Sequence, residues 1–223
     1  MKRIILTVCS LVALAAPLVH GQVVTVTGNE LEIGPTGADQ VMIINGASRG
    51  GAAIGTDNSV LDFYRGSLAV GISNSVYGGY AAAFGYSNTV SASASVAIGE
   101  NNTFQFDPDF GGGSTSLIVG KFNTIFASSH GSIVSGVNNW VGGTDPNQEA
   151  MATFGRGLIN IVSSSTVVGQ YNNMTPLLAG SVLFVVGNGP DYNNRSNALE
   201  VYGDGTVIVR KRQGDILMGE FGN

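Results

Sequence analysis

One short phrase recurs along the chain: nine runs of small or apolar residues close on Gly, and in seven of them Asn follows three residues later. "SLAVGISNSV" (67–76), "AAAFGYSNTV" (81–90), "SVAIGENNTF" (95–104) and "SLIVGKFNTI" (116–125) carry it most clearly. The glycines in register are Gly55, Gly71, Gly85, Gly99, Gly120, Gly136, Gly155, Gly169 and Gly187. Three of their spacings equal 14 residues and none is shorter. Fourteen residues hold two short strands and two turns, and nothing in the phrase has a helical period. A chain repeated at this interval stacks coil on coil instead of folding around one centre. The expected fold is all-β: a parallel β-roll or solenoid of about nine 14-residue coils, each longer spacing marking a loop inserted at a fixed corner.

The Gly and the Asn are expected to mark that corner. Gly accepts positive φ without steric cost and Asn is the next most tolerant residue. The Asn column runs through Asn58, Asn74, Asn88, Asn102, Asn123, Asn139 and Asn172. In the Gly155 coil the amide comes two places late, as Asn160, and a bulge is expected there. The strand before each Gly alternates two kinds of side chain. Leu68, Val70, Phe84, Val96, Ile98, Leu117 and Val119 are large, and the expectation is that they fill the coil. Ser67, Ala69, Ala81, Ala83, Ser95 and Ala97 are small, and that face is expected to pack against a second copy of the chain.

Four segments follow. Residues 1–21 read as a secretory signal: Lys2 and Arg3, a short apolar stretch, and small residues before Gln22. Residues 22–50 read as an N-terminal β cap with Val24, Val26, Leu31, Ile33, Val41, Ile43 and Ile44 buried. Residues 51–189 are the repeats. Residues 190–223 read as a C-terminal β-hairpin and trimerisation segment, with strands 198–202 and 206–209 around Asp204 and Gly205.

Composition narrows the partners. The only cysteine, Cys9, lies in the expected signal, so the secreted chain has no disulfide or thiolate site. Loss of Lys2 and Arg3 takes ten Lys+Arg to eight, against fifteen Asp+Glu, a net charge of −7. That argues against nucleic acid, which rewards clustered cations. Charged residues make up 11% of the chain, against about 25% in ordinary domains, and frequent Val, Ile and Phe favour an ordered repeat over disorder.

The S-x-A-x-G phrase of "SLAVG" (67–71) and "SVAIG" (95–99), followed by Asn and a β-branched residue, resembles the head repeat of trimeric autotransporter adhesins. The resemblance covers about residues 51–187. It implies a left-handed roll, three chains side by side, and display on a bacterial surface with binding to host matrix, glycan or cells. The chain departs from that pattern in having no heptad stalk and no C-terminal membrane-barrel strands. The expectation is therefore a released head, one held by a separate surface anchor, or a fragment.

Catalytic and metal chemistry have few candidates, and no cofactor is expected. Asp107 and Asp109 with Glu100 have oxygen ligands for Ca²⁺, but a D-P-D turn capping its own backbone explains them equally. A triad on His130 would need a nucleophile and an acid, and nothing in the sequence nominates them. A β-helix polysaccharide enzyme would need paired carboxylates that the sequence does not nominate. An ice-binding solenoid is disfavoured because the Asn column sits at a corner. The remaining reading is a homotrimeric adhesin-type head, with a structural fibre segment as the alternative. Recognition is expected on the inserted loops. The candidate contacts are Phe106, Asp107, Phe110, Trp140, Asp145, Gln148 and Tyr192.

Overall fold

A computed structural model describes residues 22–27, 30–35, 42–45, 51–60, 66–105, 115–126, 129–143, 148–173, 182–211 and 214–217. The expected signal lies outside these residues, as do Phe106, Asp107, Asp109, Phe110 and Asp145. The side chains of the expected N-terminal core also lie outside them.

The chain is all-β, with no helix among the described residues. It opens with β1 (Gln22–Thr27), β2 (Glu30–Pro35) and β3 (Met42–Asn45), paired antiparallel in sequence. The repeats follow as β4 (Ala52–Thr56), β5 (Ser59–Val60), β6 (Leu68–Ile72), β7 (Ser75–Val76), β8 (Ala82–Tyr86), β9 (Thr89–Val90), β10 (Val96–Glu100) and β11 (Thr103–Gln105). They continue through β12 (Leu117–Lys121), β13 (Thr124–Phe126), β14 (Ser129–His130), β15 (Ile133–Val137), β16 (Trp140–Val141), β17 (Gln148–Glu149), β18 (Ala152–Arg156), β19 (Ile159–Asn160), β20 (Thr166–Gln170) and β21 (Val182–Asn188). The last strands, β22 (Asn197–Tyr202), β23 (Val207–Lys211) and β24 (Gly214–Leu217), add antiparallel to the end of the stack.

Every Gly-bearing strand from β4 to β21 pairs parallel with the next, Gly opposite Gly, within one 15-stranded sheet. The strands after the Asn form a second, 7-stranded parallel sheet. A parallel β-solenoid of about seven turns results, closed by both sheets. The two further register glycines, in β20 and β21, extend the long sheet alone.

The interior reverses the sequence expectation. Ala69, Ala83, Ala97, Ile118, Val134 and Val167 are wholly buried, with Ser67, Ala81, Ser95, Ser116, Ser132 and Ser165 in the column beside them. Val76, Val90, Phe104, Ile125 and Val141 face them from the second sheet, also buried. The large residues point outward: Leu68, Val70, Phe84, Val96, Leu117 and Val119 are half-buried, and Ile98 is exposed. The reason is volume. Two strands joined by tight turns enclose a narrow slot, and interiors pack to crystal-like density. Val from one wall leaves room for Ala or Ser from the other, and a second rank of Leu or Phe would overfill it.

The corner also works differently. The positive φ next to each Asn belongs to the residue before it: Asp57, Ser73, Ser87, Asn101, Phe122, Asn138 and Tyr171. The Asn is needed for its side chain. Asn74 Nδ2 donates to Asn58 Oδ1 (2.9 Å) and to the Gly85 carbonyl one rung on (2.8 Å). Asn74 Oδ1 accepts from both the backbone N–H and the Nδ2 of Asn88 (3.1 and 2.9 Å). The same contacts run on through Asn102, Asn123 and Asn139. This buried amide ladder satisfies side chain and corner backbone together, the condition for burying a polar group at low cost.

The Gly155 coil contains no bulge; its register with both neighbours is unbroken. Leu158 takes the Asn position, its backbone N–H donating to Asn139 Oδ1 (2.9 Å). Asn160 occupies an inward position of the second sheet instead. There it accepts from the Ser165 hydroxyl (2.7 Å) and donates to Thr153 Oγ1 (3.3 Å). Asn172 then ends the second sheet, its side-chain amide bonding both Ile159 N–H and Ile159 carbonyl (2.8 and 2.9 Å) as a strand would.

Candidate functional site

With small residues inward, two outer faces remain available. The first is the broad face of the long sheet. Its outward columns are Ile54, Val70, Phe84, Ile98, Val119, Ser135, Phe154, Val168 and Val186, and beside them Ala52, Leu68, Ala82, Val96, Leu117, Ile133, Ala152, Thr166 and Phe184. Neither column holds a charge over nine rungs. Ile54, Ile98, Ile133 and Phe154 are 38–46% exposed. The third outward column, after the Gly, adds Ile72, Tyr86 and Val137, all exposed. It also carries the face's charges, Arg156 and the pair Glu100–Lys121 (2.7 Å). At about 4.8 Å per rung and 3.3 Å per residue the face measures roughly 40 by 14 Å, on the order of 550 Å². That is at the upper end of what a monomer leaves exposed.

The second outer face belongs to the short sheet. Its outward rank reads Ser59, Ser75, Thr89, Thr103, Thr124, Trp140 and Ile159, in register from rung to rung. Trp140 is half exposed. Its ring packs on Phe126 (centroids 4.6 Å apart) and its indole N–H donates to the Gly142 carbonyl (3.2 Å).

The other candidate contacts fare differently. Gln148 is buried and occupied: its Oε1 accepts from Gly143 N–H and its Nε2 donates to the Ile161 carbonyl (2.6 Å each). It holds a corner together. Tyr192 is exposed and lies beside the Arg195 guanidinium, 4.7 Å from its ring centroid. Arg195 itself reaches back to the Gly157 carbonyl (2.8 Å), fastening this segment to the stack. Trp140 and Tyr192 lie on separate parts of the chain and form no common site.

The strongest charge arrangement is structural. Glu200 is buried at 1% exposure and accepts from Asn197 Nδ2 (2.8 Å), Tyr202 Oη (2.9 Å) and Arg210 Nε (3.2 Å). Burial pushes the Glu200 carboxyl up. The donors, led by Arg210, outweigh it and hold the group below its ordinary value. Burial, then Glu200, pushes the Tyr202 phenol up to about 12. Among the described residues no three His, Cys, Asp or Glu side chains come close enough to hold a metal ion.

The hydroxyl rank was not anticipated, although its signal is visible. The residue after each Asn is Ser, Ser, Thr, Thr and Thr before it becomes Trp. Comparison with protein-family models, curated proteins and solved structures finds no match for this chain.

Proposed function

We propose that the chain is a secreted or cell-surface head of the adhesin type, assembled as a homotrimer and binding extracellular matrix, glycan or cell-surface ligands by multivalent display. The observation that supports it is the broad face of the long sheet, where two of the three outward columns hold no charge and are mostly apolar. A soluble protein that leaves such a face open calls for a partner, and a second and third copy bring the same rung spacing. Shared between two sister copies, a face of about 550 Å² gives each pairwise contact less than a standard interface, and closure of the trimer makes all three contacts together. The resemblance to trimeric autotransporter heads agrees with this assembly and adds a left-handed coil. The surface that meets sister chains is then the large-residue face, because the Ser/Ala columns lie inside each coil.

Binding would come from repetition: three weak contacts on one rigid body raise the apparent affinity without new chemistry. Solid-phase binding to immobilised matrix proteins and glycans tests this, comparing the native chain with an Ile98→Glu/Phe154→Glu double variant. A charge on each outward position breaks assembly and leaves the coil intact. Apparent affinity is expected to fall by about 10²-fold. Equal binding by the variant as a folded monomer would remove display from the account. A structural fibre segment is the second reading, supported by the long sheet, which carries added antiparallel strands at both ends of its parallel stack.

A further inference from the structure

We infer that the outer face of the short sheet is a docking strip for a neutral, linear glycan, lying along the stack axis and anchored by Trp140. This rests on the proposed reading of the chain as a ligand-binding head, and names the ligand class and the residues. The long sheet's outer face is taken up by assembly in that reading, and the short sheet's outer face stays open.

Four features of the strip point to one chemistry. First, Ser59, Ser75, Thr89, Thr103 and Thr124 put one hydroxyl on each of five successive rungs, about 4.8 Å apart. Their side chains form no hydrogen bond among the described residues, so donors and acceptors face outward together. One hexose of an extended chain advances by a similar interval, so sugar after sugar meets the same hydroxyl. Second, aromatic rings lie beside the rank: Tyr77, exposed, follows the second rung, and Trp140 with Phe126 stands where the hydroxyls finish. The Phe126 contact and the indole hydrogen bond fix the Trp140 ring before any ligand arrives, and a fixed ring loses little entropy on stacking against the C–H face of a pyranose.

Third, no ionisable side chain except the Tyr77 phenol stands in the hydroxyl rank or the next outward positions, Tyr77, Ser91, Gln105 and Phe126. An acidic glycan would find no cation in the rank, and the one carboxylate beside it is the exposed Asp57 at the corner before Ser59, so charge favours a neutral partner along the rest of the strip. Fourth, the strip is rigid. Behind the hydroxyls of Ser75, Thr89, Thr103 and Thr124 lies a wholly buried Val, Phe or Ile of the same short strand, behind Ser59 the partly buried Val60, and the amide ladder fixes the corner beside them.

The test is calorimetry and affinity electrophoresis of the purified protein with a soluble β-linked glucan, a neutral mannan and an acidic polysaccharide. The variants are Trp140→Ala and the double Thr89→Val/Thr103→Val. Far-ultraviolet circular dichroism checks each variant's fold, and light scattering on the same samples reports assembly. A neutral glycan is expected to bind and the acidic one not. Trp140→Ala should weaken binding by roughly tenfold or more, and the Thr→Val pair should weaken it without changing fold or mass. No binding of either neutral glycan overturns the proposal, as does binding that survives both variants. Binding to a matrix protein alone also overturns it, and leaves the trimeric-head reading standing.

Discussion

Asn102 illustrates why single residues matter in a stack. Its side chain serves three coils, accepting from Asn123, donating to Asn88 and reaching the Gly120 carbonyl. Replacement by Leu leaves those groups buried and unpaired, so Asn102→Leu should cost about 2–3 kcal/mol in denaturant unfolding. Leu158→Asn restores the missing rung beside Asn139 and should cost nothing or stabilise. If the two substitutions behave alike, the amide ladder is not a stabilising element. At Gly99 the backbone has φ +123°, and an added Cβ would fall onto the Gly120 carbonyl oxygen. Gly99→Ala should therefore cost about 3 kcal/mol or more, read as loss of cooperative unfolding. The positions of Gly and Asn were legible in sequence because they recur. The reason for the Asn was not. Periodicity locates a constrained residue without saying whether backbone or side chain imposes the constraint. The register glycines from Gly55 to Gly169 have the expected positive φ, but the second positive-φ column, Asp57, Ser73, Ser87, Asn101, Phe122, Asn138 and Tyr171, shares no residue type that would reveal it.

At the scale of the strand, alternation gave two faces and the wrong one was assigned to the core. Counting apolar atoms favours putting Leu68, Val70 and Phe84 inside. The width of the slot decides otherwise, and width is a property of the turns, not of the strand. Ala97 and Ile98 are adjacent on β10 and test this directly. Ala97→Leu overfills the coil and should cost about 1–3 kcal/mol, whereas Ile98→Ser should leave the fold of a single chain unchanged. Equal effects would mean the faces are not distinct. The end of the stack depends on Glu200. Its carboxyl is held below the ordinary 4.5, so its contribution is complete above that value and is lost as pH falls through the lower folded one. Tyr202 sets the alkaline limit: with its phenol raised to about 12, stability declines as pH climbs from 10 toward 12. Glu200→Gln should flatten the acid limb of a stability–pH curve and lower the plateau by about 1–3 kcal/mol. An unchanged acid limb would remove Glu200 from the account. No motif pointed to this cluster, because Asn197, Glu200, Tyr202 and Arg210 meet only once β22 and β23 pair.

At the scale of the whole molecule, the consequence of small-in, large-out packing is a long face with two uncharged, mostly apolar columns. A single copy gives it only water. The repeat and the all-β class could be read from spacing alone; the expected nine coils are about seven, because the last two register glycines extend only the long sheet, and Trp140 stands on the strand β16 and not on an inserted loop. The face proposed for assembly could not, because it follows from the assignment of inside and outside. The most direct test is the mass of the purified protein by light scattering, with and without Ile98→Glu/Phe154→Glu, at micromolar concentration. The native chain is expected at three times its single-chain mass and the variant at one, both with the same β-sheet circular dichroism. A native chain that scatters as a single copy would contradict the claim that its large residues point outward to meet sister chains.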